Sequence, residues 1–214
     1  MVDQIGPQDI TAVVLAGGRG LRMGGVDKGL QPFKGQTLVG HILQRLQQGQ
    51  AASAFIINAN RHIAQYQHFG VPVWPDEPDD HAGPLAGFLT GLSHSNTPWL
   101  LTTPCDTPLL PLDLAVRLSL AAQTQAADIA MASAPQADRS GQTMLRAQPV
   151  FCLLRTRLRA SLVHFMQNGG RKIDAWTAQH KTVLVPFDRP SDDPWAFFNA
   201  NTLAELQNLE TKLP

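Results

Sequence analysis

Hydrophobic and polar positions alternate along this chain in blocks rather than singly. Ile10 to Ala16, "ITAVVLA", is an unbroken apolar run rich in β-branched residues, the pattern of a strand buried on both faces. Thr37 to Gly49 carries apolar residues at helical spacing, with Thr37 placed as N-cap and Gly49 as stop. Short apolar runs at Ala54–Asn58 and Val71–Trp74 predict two more strands. Gly83–Ser95 then predicts a helix with Pro84 in its first turn. Trp99–Leu110 reads as a strand that breaks at Pro104, Pro111–Gln125 as a helix, and Ala127–Ser133 as a strand. Beyond this the rhythm loosens. Pro149–Leu154 and Thr182–Phe187 are strand-like, Arg157–Gly170 is helical with a glycine stop, and a last helix starts near Asn201. Alternating strands and helices predict an α/β fold: a single-domain, Rossmann-like, doubly wound and mostly parallel sheet with helices on both faces.

In such sheets ligands bind outside the carboxyl ends of the strands. The polar residues that end the runs are therefore the functional candidates: the glycine-rich loop after the first strand, Asn58, Asp76 and Asp106. Four successive strands each deliver a polar group to one edge.

Composition narrows the classes. The 214 residues include 17 basic and 17 acidic side chains, so no net field draws the protein to nucleic acid or membrane. No apolar run is long enough for a membrane span, and the first ten residues lack the features of a signal peptide. Two cysteines, Cys105 and Cys152, are too few for a disulfide framework, and a reduced cytoplasmic protein is the simplest reading. Charge is nonetheless uneven. Arg139 to Lys172 holds seven basic residues and no acid, whereas "PDEPDD" (Pro75–Asp80) has four acids in six residues. The basic stretch suits either a solvated surface or an anionic small molecule.

The glycine-rich loop carries the chemistry. Residues 17–29 contain six glycines, Arg19, Arg22 and Lys28. Glycine allows backbone amides to approach a ligand closely, and converging amides form an anion-binding concavity to which the cations add full charge. The preferred ligand is polyanionic, as a triphosphate is. The loop is not a Walker loop, because Asp27-Lys28-Gly29 stands where Gly-Lys-Ser/Thr is required. It also lacks the dinucleotide fingerprint, because Met23 occupies the sixth position counted from Gly18.

The stretch "LAGGRGLRMGGVDKG" resembles the signature of nucleotidyltransferases that make sugar and cofactor nucleotides, and is most similar to the molybdenum cofactor guanylyltransferases (MobA). "NANRH" (Asn58–His62), "GPLAG" (Gly83–Gly87), "PCDTP" (Pro104–Pro108) and "FNANTLAEL" (Phe198–Leu206) follow the family's order and spacing. The resemblance implies transfer of GMP from GTP to the terminal phosphate of molybdopterin, with release of pyrophosphate. Mg²⁺ is the implied cofactor, and GTP and molybdopterin the implied partners. The family also suggests a monomer or weak oligomer that docks transiently on proteins delivering or collecting the cofactor. Gly18 and Thr107 favour GTP over the CTP used by a sister branch. A sugar-phosphate transferase and a non-catalytic docking module are the competing readings. Within one domain spanning 1–214, about 10–135 would bind GTP and about 136–214 the acceptor.

By the same resemblance Asp106 is the metal ligand, and Lys28 contacts the nucleotide together with backbone atoms of Leu15, Ala16 and Gly17. Gly18 and Arg19 belong to the same nucleotide loop, and Arg22 suits the β- and γ-phosphates. Asp76 can accept from guanine N1–H and its 2-amino group, a match that cytosine or adenine lacks; an acidic surface loop is the alternative. Asn58 suits base or ribose. Gly83, Pro84, Arg146, Arg171, Lys172, Asn199 and Asn201 are candidates for the acceptor side, with capping of the last helix as the alternative for Asn201. Cys105, although beside Asp106, is expected to be a small buried residue rather than a nucleophile.

Overall fold

A computed structural model describes residues 4–18, 26–76, 83–138 and 141–212. The apolar runs become a seven-stranded sheet. Its strands are β1 (Ile10–Leu15), β4 (Ala54–Asn58), β5 (Val73–Trp74), β6 (Trp99–Pro104), β7 (Ile129–Ala137), β8 (Thr143–Arg155) and β9 (Thr182–Pro186). Their spatial order is β5-β4-β1-β6-β8-β7-β9. Six strands run parallel and β8 runs against both of its neighbours. A small antiparallel hairpin, β2 (Pro32–Phe33) with β3 (Gln36–Thr37), stands apart from the sheet.

Both faces of the sheet are covered, as continuous apolar runs require. On β1, Ile10, Ala12 and Val14 join one core, and Val13 joins the other. The first core is covered by α1 (Leu38–Gln48) and α4 (Leu114–Thr124), through residues such as Ile42, Leu46 and Leu118. The second lies under α3 (Pro84–His94), α5 (Arg159–Gln167) and α6 (Ile173–Thr177), through Phe88, Leu162 and Trp176. The short α2 (Ile63–Gln67) inserts Tyr66 into the first core. A third cluster packs α7 (Leu203–Lys212) through Leu206 and Leu209 against Phe33, Leu38 and Leu109. This contact brings the end of the chain back to the glycine-rich loop's hairpin.

Helix ends follow local chemistry. The Thr37 hydroxyl accepts from the Gly40 amide at 3.3 Å and α1 closes at Gly49, a cap that contributes about 1 kcal/mol. Pro84 opens α3, where its missing N–H is not required. At α7 the cap is Thr202, not Asn201. Thr202 Oγ1 accepts from the Glu205 amide, and the Glu205 carboxylate accepts from the Thr202 and Asn201 amides. That reciprocal box leaves the Asn201 side chain available elsewhere.

The sheet aligns the strand ends. Leu15 is level with Asn58 on one side and with Pro104 on the other, and Asn58 is level with Trp74. Residues 16–18, 59–61, 75–76 and 105–107 therefore emerge along one edge. Because β8 is reversed, its early residues Gln148–Phe151 meet the same edge. Where β8 separates from β6, the Thr102 hydroxyl donates to Val150 O at 2.7 Å and accepts from Cys152 N at 3.2 Å.

Candidate functional site

A cleft of about 830 Å³ lies along that edge. Its lining includes Leu15, Ala16, Gly17, Gly18, Lys28, Asn58, Asp76, Gly83, Pro84, Asp106, Asn199 and Asn201, all of them candidates from the sequence. Arg19 and Arg22 lie outside the described residues. The three other basic candidates do not line the cleft. Arg146 sits on β8 where it extends opposite β7, paired with Ala134. Arg171 donates to Met166 O and Gly170 O at the end of α5, and Lys172 precedes α6. The acid-free stretch is thus dispersed: Arg157 pairs with Asp128, Arg155 lies over the Trp99 ring, and Arg159 bonds Ser93.

At one end of the cleft the Lys28 ammonium bridges Asp106 Oδ2 at 3.0 Å and Asn201 Oδ1 at 3.1 Å. The three residues come from the loop after β1, the loop after β6 and the segment before α7. Ala200 N donates to Asp106 O at 2.9 Å, and the Thr107 hydroxyl donates to Asn199 Oδ1 at 2.5 Å. These bonds hold the 199–201 segment on the aspartate loop. The neighbouring Cys105 thiol is pushed up, chiefly by burial and then by the Asp106 charge; it is a packed thiol, not a nucleophile.

At the other end Asp76 is gripped by two asparagines. Asn58 Nδ2 donates to Asp76 Oδ1 at 2.8 Å and Asn60 Nδ2 to Oδ2 at 2.7 Å, while the Asp76 amide donates to Asn60 Oδ1 at 2.8 Å. Asn60 also donates to Gly17 O at 3.1 Å, and Arg61 to Gly18 O at 3.3 Å. The carboxylate is thus oriented before any ligand arrives, each oxygen retaining a lone pair.

Asn60, Arg61, Gly87 and Gln148–Phe151 also line the cleft, and reading strand ends missed them. Asn60 and Arg61 were within "NANRH", one turn beyond the strand. Gly87 is set by helix packing, and Gln148–Phe151 by the reversed strand, which no local pattern signals. A Cβ on Gly87 would lie 2.6 Å from both Asn58 Oδ1 and Leu15 Cδ2. Gly87→Ala is expected to lower stability by about 1–3 kcal/mol, roughly 2–4 °C of Tm per kcal/mol at this chain length. Thermal melting checks this, and a variant as stable as wild type would show that α3 shifts freely.

Strand ends, a glycine-edged cleft and a lysine–aspartate pair suit an α/β protein of the nucleotidyltransferase kind. Residues 12–183 match the family described as MobA-like NTP transferase domain. Proteins named molybdenum cofactor guanylyltransferase from Albidiferax ferrireducens and an Acidovorax species are each 64% identical to this chain. They align over 95% and 96% of it and 96% and 97% of themselves. The chain belongs to the MobA-like NTP transferase family. Its fold is shared with an Archaeoglobus fulgidus protein described as molybdopterin-guanine dinucleotide biosynthesis protein A. That match has a TM-score of 0.72 and 19% identity, covering 94% of this chain and 97% of that one. A 4-diphosphocytidyl-2C-methyl-D-erythritol synthase from Anaerococcus prevotii gives a TM-score of 0.71 at 10% identity, covering 96% and 98%.

Proposed function

We propose that this protein transfers GMP from GTP to the terminal phosphate of molybdopterin, releasing pyrophosphate and forming the guanine dinucleotide cofactor. The observation that carries this reading is the joining of two devices in one cleft: an oriented carboxylate at Asp76 and a charge pair at Lys28 and Asp106. The near-full-length relatives bearing that activity's name support it.

An oxygen of the acceptor phosphate attacks the α-phosphorus, and the bond to the β-phosphate's bridging oxygen breaks. Such transfer demands alignment and charge stabilisation more than covalent help. Asp76 takes the guanine edge, and the bonds from Asn58 and Asn60 orient it for that role. The amides of Gly17 and Gly18 are left for the phosphates, while the Ala16 amide already donates to Asn58 O at 2.8 Å. Lys28 moves from Asp106 to phosphate oxygens, where a compact ammonium stabilises growing charge. Asn199 and Asn201 stand at the Lys28–Asp106 end of the cleft, and Gly83, Pro84 and Gln148 also line it; these are the residues left for the acceptor.

Among the described residues no three acidic, histidine or cysteine side chains gather as a metal cage. Asp106 with the amide oxygen of Asn201 forms an all-oxygen donor set, which suits the one or two carboxylates that Mg²⁺ takes beside phosphates. These residues would hold the ion, and bound there it would neutralise charge on the phosphates. No helix among the described residues is long and apolar enough to cross a membrane. Cys105 and Cys152 are free and buried, which favours the reducing cytoplasm as the working compartment.

Calorimetric titration with GTP, CTP and ATP, each with Mg²⁺, tests the reading. Wild type is expected to prefer GTP, and Asp76→Ala to lose about 1–3 kcal/mol of that preference as a buried pairing is removed. A preference for CTP would overturn the role given to Asp76 and move the protein to the sister activity.

A further inference from the structure

Asp27 is a carboxylate that the proposed reaction does not use, yet it is only 7% exposed and sits next to Lys28. Its Oδ1 accepts from the hydroxyl of Tyr66, a fully buried side chain. Its backbone oxygen accepts from the Gln31 side-chain amide at 2.8 Å. Lys28 O in turn accepts from Gln31 N at 3.1 Å, and Val39 N donates to Gly29 O at 2.9 Å. The backbone around Lys28 is therefore fastened on both sides. Of these fastenings the bond from the Tyr66 hydroxyl is the one that is charge-assisted.

Tyr66 is well suited to hold it. It lies on α2, five residues beyond Arg61, and is packed within the core beneath β1 and α1. Burial, first among the causes, keeps its phenol protonated and therefore a donor. The fit leaves no slack, since a Cβ on Gly29 would overlap the hydroxyl. Tyr66 thus touches the turn that presents Lys28 to the phosphate end. The residues just before its helix, Asn60 and Arg61, bond Asp76, Gly17 and Gly18 at the base end.

We infer that Tyr66 is a positioning residue. Through its hydrogen bond to Asp27 it sets where Lys28 stands, and through α2 it ties that placement to the base-recognition segment. The inference takes its substrate from the guanylyl-transfer reading but has a readout independent of it. A displacement of about 1 Å at a charged group can change turnover by up to ~10²-fold. Removing a hydroxyl that never touches substrate should therefore act on kcat rather than on GTP binding.

The test uses the full chain with Tyr66→Phe, Gly29→Ala, Asp27→Ala and Asp27→Asn, all assayed well below their melting temperatures. Tyr66→Phe and Gly29→Ala are expected to lower kcat for GTP-dependent pyrophosphate release by about tenfold, with KM for GTP within about twofold. Asp27→Asn keeps an acceptor for the hydroxyl and is expected to recover most of what Asp27→Ala loses. Reductive methylation followed by mass spectrometry should show Lys28 labelling several-fold faster in Tyr66→Phe than in wild type. Unchanged labelling together with unchanged kcat in folded Tyr66→Phe overturns the inference. Equal losses in Asp27→Asn and Asp27→Ala overturn it as well, because charge rather than the hydrogen bond would then hold the turn. If wild type turns over no GTP, the functional reading fails, while the labelling comparison still decides the tether.

Discussion

Asp106→Asn is expected to lower kcat by about 10²–10³-fold, the range seen when a group aimed at transition-state charge is removed, without loss of fold. Asparagine is close to isosteric and retains one oxygen. The main-chain bond from Ala200 N to Asp106 O does not involve the side chain and should persist. What disappears is the negative charge that anchors Lys28 at 3.0 Å and would hold the cation. The apparent Mg²⁺ requirement should rise in the same variant, since an amide oxygen is a poorer ligand for a hard ion. Steady-state pyrophosphate release across a Mg²⁺ series, beside circular dichroism, measures both. Turnover within about threefold of wild type would remove Asp106 from the reaction, because an effect that small is under 1 kcal/mol of transition-state stabilisation.

Lys28→Met should lose about 10²-fold in kcat, because its ammonium stands 3.0 Å from the aspartate that anchors the phosphate end. Lys28→Arg is not expected to restore it. A planar guanidinium cannot replace a compact ammonium that already fits between Asp106 Oδ2 and Asn201 Oδ1. The double variant Lys28→Met/Asp106→Asn should lose much less than the product of the two single losses. Residues acting as one unit are non-additive, and this pair is in direct contact. Full multiplication of the losses would mean that each acts on a separate step.

Much of the molecule is legible in its sequence. Helix α1 runs between the cap and stop named from its residues, Thr37 and Gly49, because both signals are local: a hydroxyl for an orphan amide and a residue that ends the turn. Strand β4 ends at Asn58 as read. The candidates Asn58, Asp76 and Asp106 meet because strands that are level in a parallel sheet deliver their next residues to one edge. The basic stretch is dispersed for the converse reason. Charge density along a chain does not survive folding when alternate strand residues and successive helix turns point in different directions. Arg155, Arg157, Arg159 and Arg171 therefore end on four different partners.

While the short helices α2 and α6 went unread, the sequence by itself determined the strands β1, β4 and β6, the two ends of α1, the start of α3 at Pro84, and which loop is rich enough in glycine to approach a ligand closely. Those are properties of local residue pattern, periodicity and glycine content. Only the tertiary structure decided that β8 is reversed and carries Gln148–Phe151 into the cleft. It likewise brought Asn201, 173 positions from Lys28, to within 3.1 Å of it, and it made Tyr66 the partner of Asp27. Each depends on packing between elements distant in sequence. No propensity or spacing encodes such a contact until the hydrophobic faces have closed on one another.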